Sequence, residues 1–395
     1  MDAQLHYLLT KTKEKAALLS KEIYHALWST SQIIRRAQDD PDAVQLWGPS
    51  EDEIVVIAPM VTNDLQLIPD SKVGVHCIPG CQLWSKTDVY LLGKYATPVD
   101  TNGNLLAYAV LPEAYQHYLL HVDFVALHCA TRKQWPRTLQ HLPRAISLVN
   151  AWSQSYFHWF VEILPRIALL RHILPLGDDI HLVINSAPTA WQVRSLELLH
   201  YPVRRIVLAE DGPFAVKKFF IPAHVHQRLH NTGLYMPSML TNLRKEIVDN
   251  LQQARHENQS VIDIYISRRR ANGRNIVNEQ ELIHALAEHG FTAYCLEEMS
   301  LDEQIRLFLH AKRIIAPHGA GLTNILWANS VTVVELCGAY WNSSYLTLAN
   351  TLNHRYLCYR STDTRGRYLS QMISSKRDDF YVDVDHFINF LVLHT

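Results

Sequence analysis

At 395 residues the chain exceeds one compact core of ordinary size and reads as two domains. Hydrophobic residues make up 48% and charged residues 19%, which excludes a disordered chain. Lys+Arg number 37 against Asp+Glu 38, so the basic excess of a duplex nucleic-acid binder is missing and nucleic acid is not an expected partner.

Residues 3–38 read as a helix, because Leu5, Leu8, Leu9, Ala16, Leu19, Ile23, Leu27 and Ile33 recur at three- and four-residue spacing. The cluster Asp39-Asp40-Pro41-Asp42 ends it, which defines an N-terminal helical segment, 1–45. Lys11, Lys13, Lys15 and Lys21 interrupt this stretch, so it does not read as a signal peptide. No run approaches the roughly 20 apolar residues of a membrane span. A cytoplasmic chain is expected, with at most a peripheral membrane association. The six cysteines are scattered, and Cys77 with Cys81 has no second pair to complete a zinc site. Free thiols in a reducing compartment follow.

From 46 to 145 short β-rich runs dominate, such as Ile54–Ala58, Val89–Leu92 and Phe124–Leu127. Ala145–Val149 predicts a strand and Tyr156–Ile173 a helix, with Pro165 marking a kink or break. His181–Ile184, Arg205–Leu208 and Lys218–Ile221 predict strands and Trp191–Leu199 a helix, completing a Rossmann-like unit over 46–240. Within it His158 and Glu162 are four apart and share a helix face, as a base and its orienting partner would. The plainer alternative is a histidine satisfied in the core. His224, His226 and His230 have the look of a metal cluster but lack a nearby carboxylate or thiolate, and a contact to phosphates across the cleft is the other use for them.

Met236–Glu257 predicts a long charged helix, after which the pattern alternates cleanly. Ile262–Ser267, Phe291–Leu296, Arg313–Ala316, Val331–Leu336 and Tyr356–Tyr359 predict strands. Glu279–His289, Leu301–Ala311, Leu322–Ala328 and Ser344–Leu352 predict the helices between them, with capping boxes at Asn278/Glu281 and Ser300/Glu303. Such βαβ units imply a parallel sheet, here over 241–362. The fold class is α/β, two Rossmann-like domains facing a cleft. The segment 363–395 ends in a helix, His386–Leu393, capped by Asp385 and expected to return toward the first domain.

Ligands of parallel sheets bind at the carboxyl ends of strands, where helix N-termini offer free amides. Three places in the second half meet that rule. Ser267-Arg268-Arg269-Arg270-Ala271-Asn272-Gly273-Arg274-Asn275 sets four arginines where a pyrophosphate would lie, or forms a solvated basic loop. In Ala316-Pro317-His318-Gly319-Ala320-Gly321-Leu322-Thr323-Asn324 the two glycines allow close approach of backbone to a phosphate. The third place is Glu335, at the end of Val331–Leu336, where a carboxylate accepts from ribose hydroxyls or pairs with an arginine.

Taken in order, these segments resemble glycosyltransferase family 61, the group of plant xylosyltransferases, extracellular O-GlcNAc transferases and many bacterial capsule-type proteins. The matching elements are His158-Trp159…Glu162…Leu164-Pro165-Arg166, then Ser267-Arg268…Arg274…Asn278-Glu279, then His318 to Asn324, then Glu335. Asn329-Ser330 departs from it, since relatives often carry prolines there. The resemblance implies a GT-B-type fold and an inverting, metal-independent transferase with no cofactor. Its donor would be a nucleotide sugar, expected to be UDP-linked, and its acceptor a glycan, as in capsule or cell-surface polysaccharide synthesis. The donor would be held by Ser267, Arg268, Arg269, Arg274, Asn275, Asn278, Glu279, His318, Gly319, Ala320, Gly321, Leu322, Asn324 and Glu335. The base would come from His158 or Glu162, with His318 a third candidate. Asp383-Val384-Asp385 has the form of a transferase metal motif but lies ahead of the last helix, where capping explains it. An epimerase or hydrolase of the same fold, or an inactive nucleotide- or glycan-binding protein, remain the alternatives.

Overall fold

A computed structural model describes residues 33–395 apart from 35, 48–52, 65–72, 79, 111–134, 151, 175–179, 223, 225, 230–231, 253–260 and 362–377. The expected helix over 3–38 lies outside the described residues up to 32. Beyond that point Ile33–Ile34 is a short strand and Ala37–Asp39 a single 3-10 turn. The local periodicity there gives way to sheet pairing, Ile33 and Ile34 lying beside Leu105 and Leu106.

Two sheets organise an α/β fold. The first has nine strands, with Leu83–Leu92, Phe214–Pro222, Gln140–Ser147, Ile180–Ile184 and Ile206–Leu208 adjacent in that order. The last four run parallel to one another, and the long strand Leu83–Leu92 runs antiparallel to Phe214–Pro222. The second sheet has six parallel strands in the order Phe291–Tyr294, Ile262–Ile266, Ala311–Pro317, Thr332–Cys337, Arg355–Arg360 and Val61–Thr62. Its first five strands have the doubly wound order 2-1-3-4-5. The crossover reverses between Ile262–Ile266 and Ala311–Pro317, so the crevice for a ligand opens just past Ile266 and Pro317.

Chain order and sheet membership part company in three places. Val61–Thr62 comes from the early β-rich stretch but extends the second sheet beside Leu357 and Cys358. The two-stranded antiparallel sheet of Glu53–Ile57 and Gly74–Ile78 also packs on the second half, with Ala58 N–H donating to Asn350 Oδ1 at 2.9 Å. The final helix, Val384–His394, does not return to the first sheet. Phe387, Phe390 and Leu391 pack with Leu286, Leu357 and Tyr359 of the second half. Asp383, not Asp385, caps it, accepting from His386 N–H at 3.0 Å.

One apolar core runs through both sheets. Ile146, Leu182 and Phe220 of the first share it with Ile264, Ile314 and Val333 of the second, joined by Leu240, Leu243 and Ile247 of the helix Pro237–Gln252. Polar ties cross the same boundary. Arg194 makes a two-pronged bond to Asp302, 2.8 Å on each prong, and Tyr156 donates to Asn324 at 2.7 Å.

Candidate active site

Pro165 has no N–H to donate, and the helix expected over Tyr156–Ile173 breaks there as the sequence predicts. Trp159–Ile163 forms a π-turn, in which Leu164 N–H reaches back five residues to Trp159 O at 2.7 Å. Upstream of that break the four-residue spacing brings His158 Nδ1 to 2.7 Å from Glu162 Oε2. The imidazole keeps 30% of its side-chain surface exposed and the carboxylate 12%, and the Trp152 ring stacks on His158 with centroids 5.3 Å apart. The pair is a half-open imidazole backed by a nearly buried acceptor, not a histidine lost in the core.

At the crevice of the second sheet the arginine loop separates into two kinds. Arg269 and Arg270 turn outward and share Glu298, at 2.7 and 3.2 Å, with about half or more of each side chain exposed. Arg268 and Arg274 turn inward. Gly273 and Arg274 both adopt left-handed backbone, φ 111° and 57°, and this reverses the loop so that the Arg274 guanidinium lies over the Tyr340 ring at 5.7 Å. Burial and the neighbouring Arg274 charge both push the Arg268 guanidinium below its ordinary range, which is the signature of two cations held together. Gly319 makes room for this: a Cβ there would stand 1.9 Å from Arg268 Nη1. Gly321, expected to serve the same approach, instead faces Leu296 and Ile266 at 3.2 and 3.3 Å.

His318 is 4% exposed, and its Nδ1 bonds to Glu335, which is fully buried. Tyr356 donates to the other carboxylate oxygen. Burial, with the Glu335 charge beside it, raises the Tyr356 phenol far above its usual range, so it stays a donor. Glu335 therefore faces neither solvent nor an arginine, and both its oxygens are committed inside the protein. The expected ribose contact does not arise in this arrangement. The rings of Tyr340 and Tyr345 stand edge-on to His318 at 5.2 and 5.3 Å.

Several expected donor residues turn out to build the loops. Glu279 accepts from Tyr265, from Ser267 Oγ and from the Arg268 N–H at 2.8, 3.0 and 3.2 Å, pinning the start of the arginine loop. Asn275 is tied to Asp379 through its backbone and side-chain N–H groups. Asn278 makes no cap for the following helix; its amide straps Val382, donating to the carbonyl and accepting from the N–H. Ser300 and Glu303 do form the expected capping box. Leu322 is fully buried, and Ala320 is exposed at the crevice. Asn324 is 1% exposed and spends all its bonding on Tyr156, Trp327, Gln304 and Gly321 O. The expected helix after it is a 3-10 helix over Ala320–Trp327.

Two residues at the crevice escaped the sequence reading, Tyr340 and Asn342. Asn342 donates to the Tyr340 hydroxyl at 2.8 Å and lies 3.5 Å from His318 Nε2. They follow the strand Thr332–Cys337 directly, so the strand-end rule that found Glu335 would have found them a few residues on. Tyr345 links the two histidines, standing between Phe157, next to His158, and His318 with ring centroids 5.5 and 5.3 Å away. Among the described residues no group of three metal-ligating side chains comes together. His224 meets the Tyr108 carbonyl at 3.0 Å; the side chains of His226 and His230 lie outside what is described.

Residues 156–334, from the helix of His158 to the strand of Glu335, match the family described as Glycosyltransferase 61. Over that stretch, somewhat less than half of its length, the chain is similar to glycosyltransferase family 61. Over 143 residues the chain is 28% identical to an EGF domain-specific O-linked N-acetylglucosamine transferase of Gallus gallus, an alignment covering 33% of this chain. It spans 27% of that relative's length. No helix among the described residues is long and apolar enough to cross a membrane.

Proposed function

We propose that this transferase moves a monosaccharide from a nucleotide sugar, UDP-linked, to a glycan acceptor, with inversion and without a bound metal, in the assembly of a capsular or surface polysaccharide. The observation that carries this reading is a set of buried polar atoms at the crevice. Arg268 Nε, Arg274 Nε, Asn275 Oδ1 and Thr323 Oγ1 are buried without a hydrogen-bond partner among the described residues. Leaving a buried donor unmade costs about 1–3 kcal/mol, more for a charged group, so such atoms are kept for a ligand. Two convergent guanidiniums at the switch point of a parallel sheet suit a diphosphate, whose departing charge they neutralise as a metal does elsewhere.

The arrangement is GT-B-like in this reading. Residues 241–362 hold the donor and 46–240 the acceptor, with Val61–Thr62 lent to the donor side. His158, the more exposed member of its pair, takes the proton of the acceptor hydroxyl as that oxygen attacks in line, and Glu162 holds the ring in one tautomer. Cytoplasmic placement fits Cys337 and Cys358, whose sulfurs lie 3.5 Å apart as free thiols.

The test is incubation of the purified protein with a panel of nucleotide sugars in excess EDTA, with and without glycan acceptors. A glycosylated acceptor, or slow release of free sugar without one, is expected from a UDP-sugar. An epimerised sugar, turnover that returns only with Mn²⁺ or Mg²⁺, or binding of every nucleotide without turnover would overturn the reading.

A further inference from the structure

A buried carboxylate needs a partner that neutralises it, and Glu335 has an unusual one. No Lys or Arg bonds to it among the described residues; its partners are His318 and the neutral phenol of Tyr356. By accepting from Nδ1–H, Glu335 fixes the tautomer of His318 and leaves Nε2, which the Asn342 amide approaches at 3.5 Å, as the nitrogen open to a second proton once that amide turns aside. That nitrogen is turned toward the loop of Tyr340 and Asn342, and the Tyr340 ring also lies under the Arg274 guanidinium. The chain neighbour of His318, Gly319, lies under Arg268. The charged and titratable groups facing the imidazole are thus Glu335, Tyr356, Tyr340, Tyr345, Arg268 and Arg274. Burial holds the Tyr345 phenol high and neutral, as it does Tyr356.

Charge counting then gives the step. Two guanidiniums and Glu335 leave at most a single positive charge in the empty crevice, which Glu297 and Asp379 near Arg268 lower further, whereas a diphosphate brings on the order of two negative charges or more. We infer that His318 is the third cation of the diphosphate site, taking up a proton at Nε2 as the diphosphate enters, with Glu335 as the positioning residue that makes this possible. This rests on the nucleotide-sugar reading above. The balance is simple: one proton moves from solvent to Nε2, the imidazole becomes an imidazolium paired with the Glu335 carboxylate, and Nε2–H donates to a phosphate oxygen. No covalent bond changes. During transfer the same N–H faces the oxygen on which charge develops, and the proton is released when the diphosphate leaves.

The experiment is titration calorimetry of the full chain with UDP, and separately with uridine, in buffers of unlike ionisation enthalpy. Wild-type protein should take up about one proton per UDP beyond what UDP itself exchanges, and none with uridine. His318→Gln and Glu335→Gln should lose that uptake and weaken UDP several-fold, while uridine affinity stays put. A purely structural role would weaken both ligands alike. As a measurement that needs no folded variant, imidazole ¹⁵N spectra of the unmutated protein should show one histidine that is protonated at Nδ1 alone when free and at both nitrogens with UDP bound. Equal proton uptake in wild type and His318→Gln, or no such histidine, overturns the inference while leaving the donor assignment standing. Failure of wild type to bind UDP at all removes the donor assignment, and this inference with it.

Discussion

Each half of the molecule contributes one histidine bonded through Nδ1 to a carboxylate, and the two pairs differ in nearly everything else. His158 and Glu162 are neighbours on one helix, half-open to solvent, so their pairing follows from local spacing alone. His318 and Glu335 come from adjacent parallel strands of the second sheet and are buried. In the proposed reaction the open pair meets the acceptor hydroxyl, and the closed pair, beside the tyrosines of the crevice, carries charge. Identical side-chain chemistry thus takes its role from the element that carries it and from how much water reaches it.

The largest effect expected from breaking this comparison lies in the open pair. His158→Ala and Glu162→Gln should bind UDP as wild type does and lose about 10²–10⁴ in turnover, the usual consequence of removing a general base. If both variants keep wild-type turnover, the pair is packing and the proton goes elsewhere, with His318 the next place to look.

Next in size are the two inward-turned, part-buried arginines. Arg268→Ala and Arg274→Ala should each weaken UDP by roughly 10–100-fold, since a charge-assisted bond contributes about 1.5–3 kcal/mol. Gly319→Ala should do the same without touching an arginine, because its Cβ would displace the Arg268 guanidinium. Unchanged UDP affinity by calorimetry in both arginine variants would remove the donor assignment; normal binding by Gly319→Ala would show only that the guanidinium can move.

A third histidine sharpens what the carboxylate does. His354 is also buried, but both ring nitrogens meet backbone: Nε2 the Ile325 carbonyl at 2.9 Å and Nδ1 the Val331 N–H at 3.4 Å. With no carboxylate beside it, burial pushes its pKa down to about 4. The folded value lies below the unfolded one, so the unfolded chain binds the extra proton and the contribution to stability is lost as pH falls from about 6.5 toward 4. By pH 5.5 the loss should be on the order of 1 kcal/mol. Melting curves of wild type and His354→Gln over this range check it: the variant's melting temperature should vary less with pH, and equal pH dependence in the two would assign the acid sensitivity to other groups.

How much of this was legible in advance depended on how local each feature was. The alternation of strands and helices over 262–360, the break at Pro165, the Ser300 cap and the His158–Glu162 face all follow from spacings within a few residues, and all appear. What failed was set by distant partners. Asn278 has a capping residue's type and spacing, yet Val382, far along the chain, claims its side chain. Glu335 was placed correctly at its strand end, but only the neighbouring strand, with Tyr356, shows that it points inward. Val61–Thr62 carries no mark of belonging to the second sheet, because a two-residue edge strand is defined by what it lies beside. The arginine loop shows the same limit most sharply: four arginines in seven residues are alike in sequence, and a left-handed turn at Gly273 and Arg274 divides them.

That division yields the smallest expected effect and the cleanest control. Arg269 and Arg270 share one carboxylate, Glu298, on the surface, and hydrogen bonds from the two guanidiniums hold the Glu298 carboxyl below its ordinary range. Exposed ion pairs of this kind are screened by water and salt and contribute little. Arg269→Ala and Arg270→Ala, singly or together, should therefore leave UDP affinity, turnover and melting temperature unchanged within error. The double variant removes as much positive charge from the loop as Arg268→Ala with Arg274→Ala does, so it separates the two ways an arginine cluster can attract a diphosphate. If general electrostatic attraction governs binding, both double variants weaken UDP and raised salt weakens wild type just as much. If the built site governs it, only the Arg268/Arg274 double variant does, and salt matters little. A loss in the Arg269/Arg270 variant matching the other would mean that the inward and outward arginines differ in position but not in function.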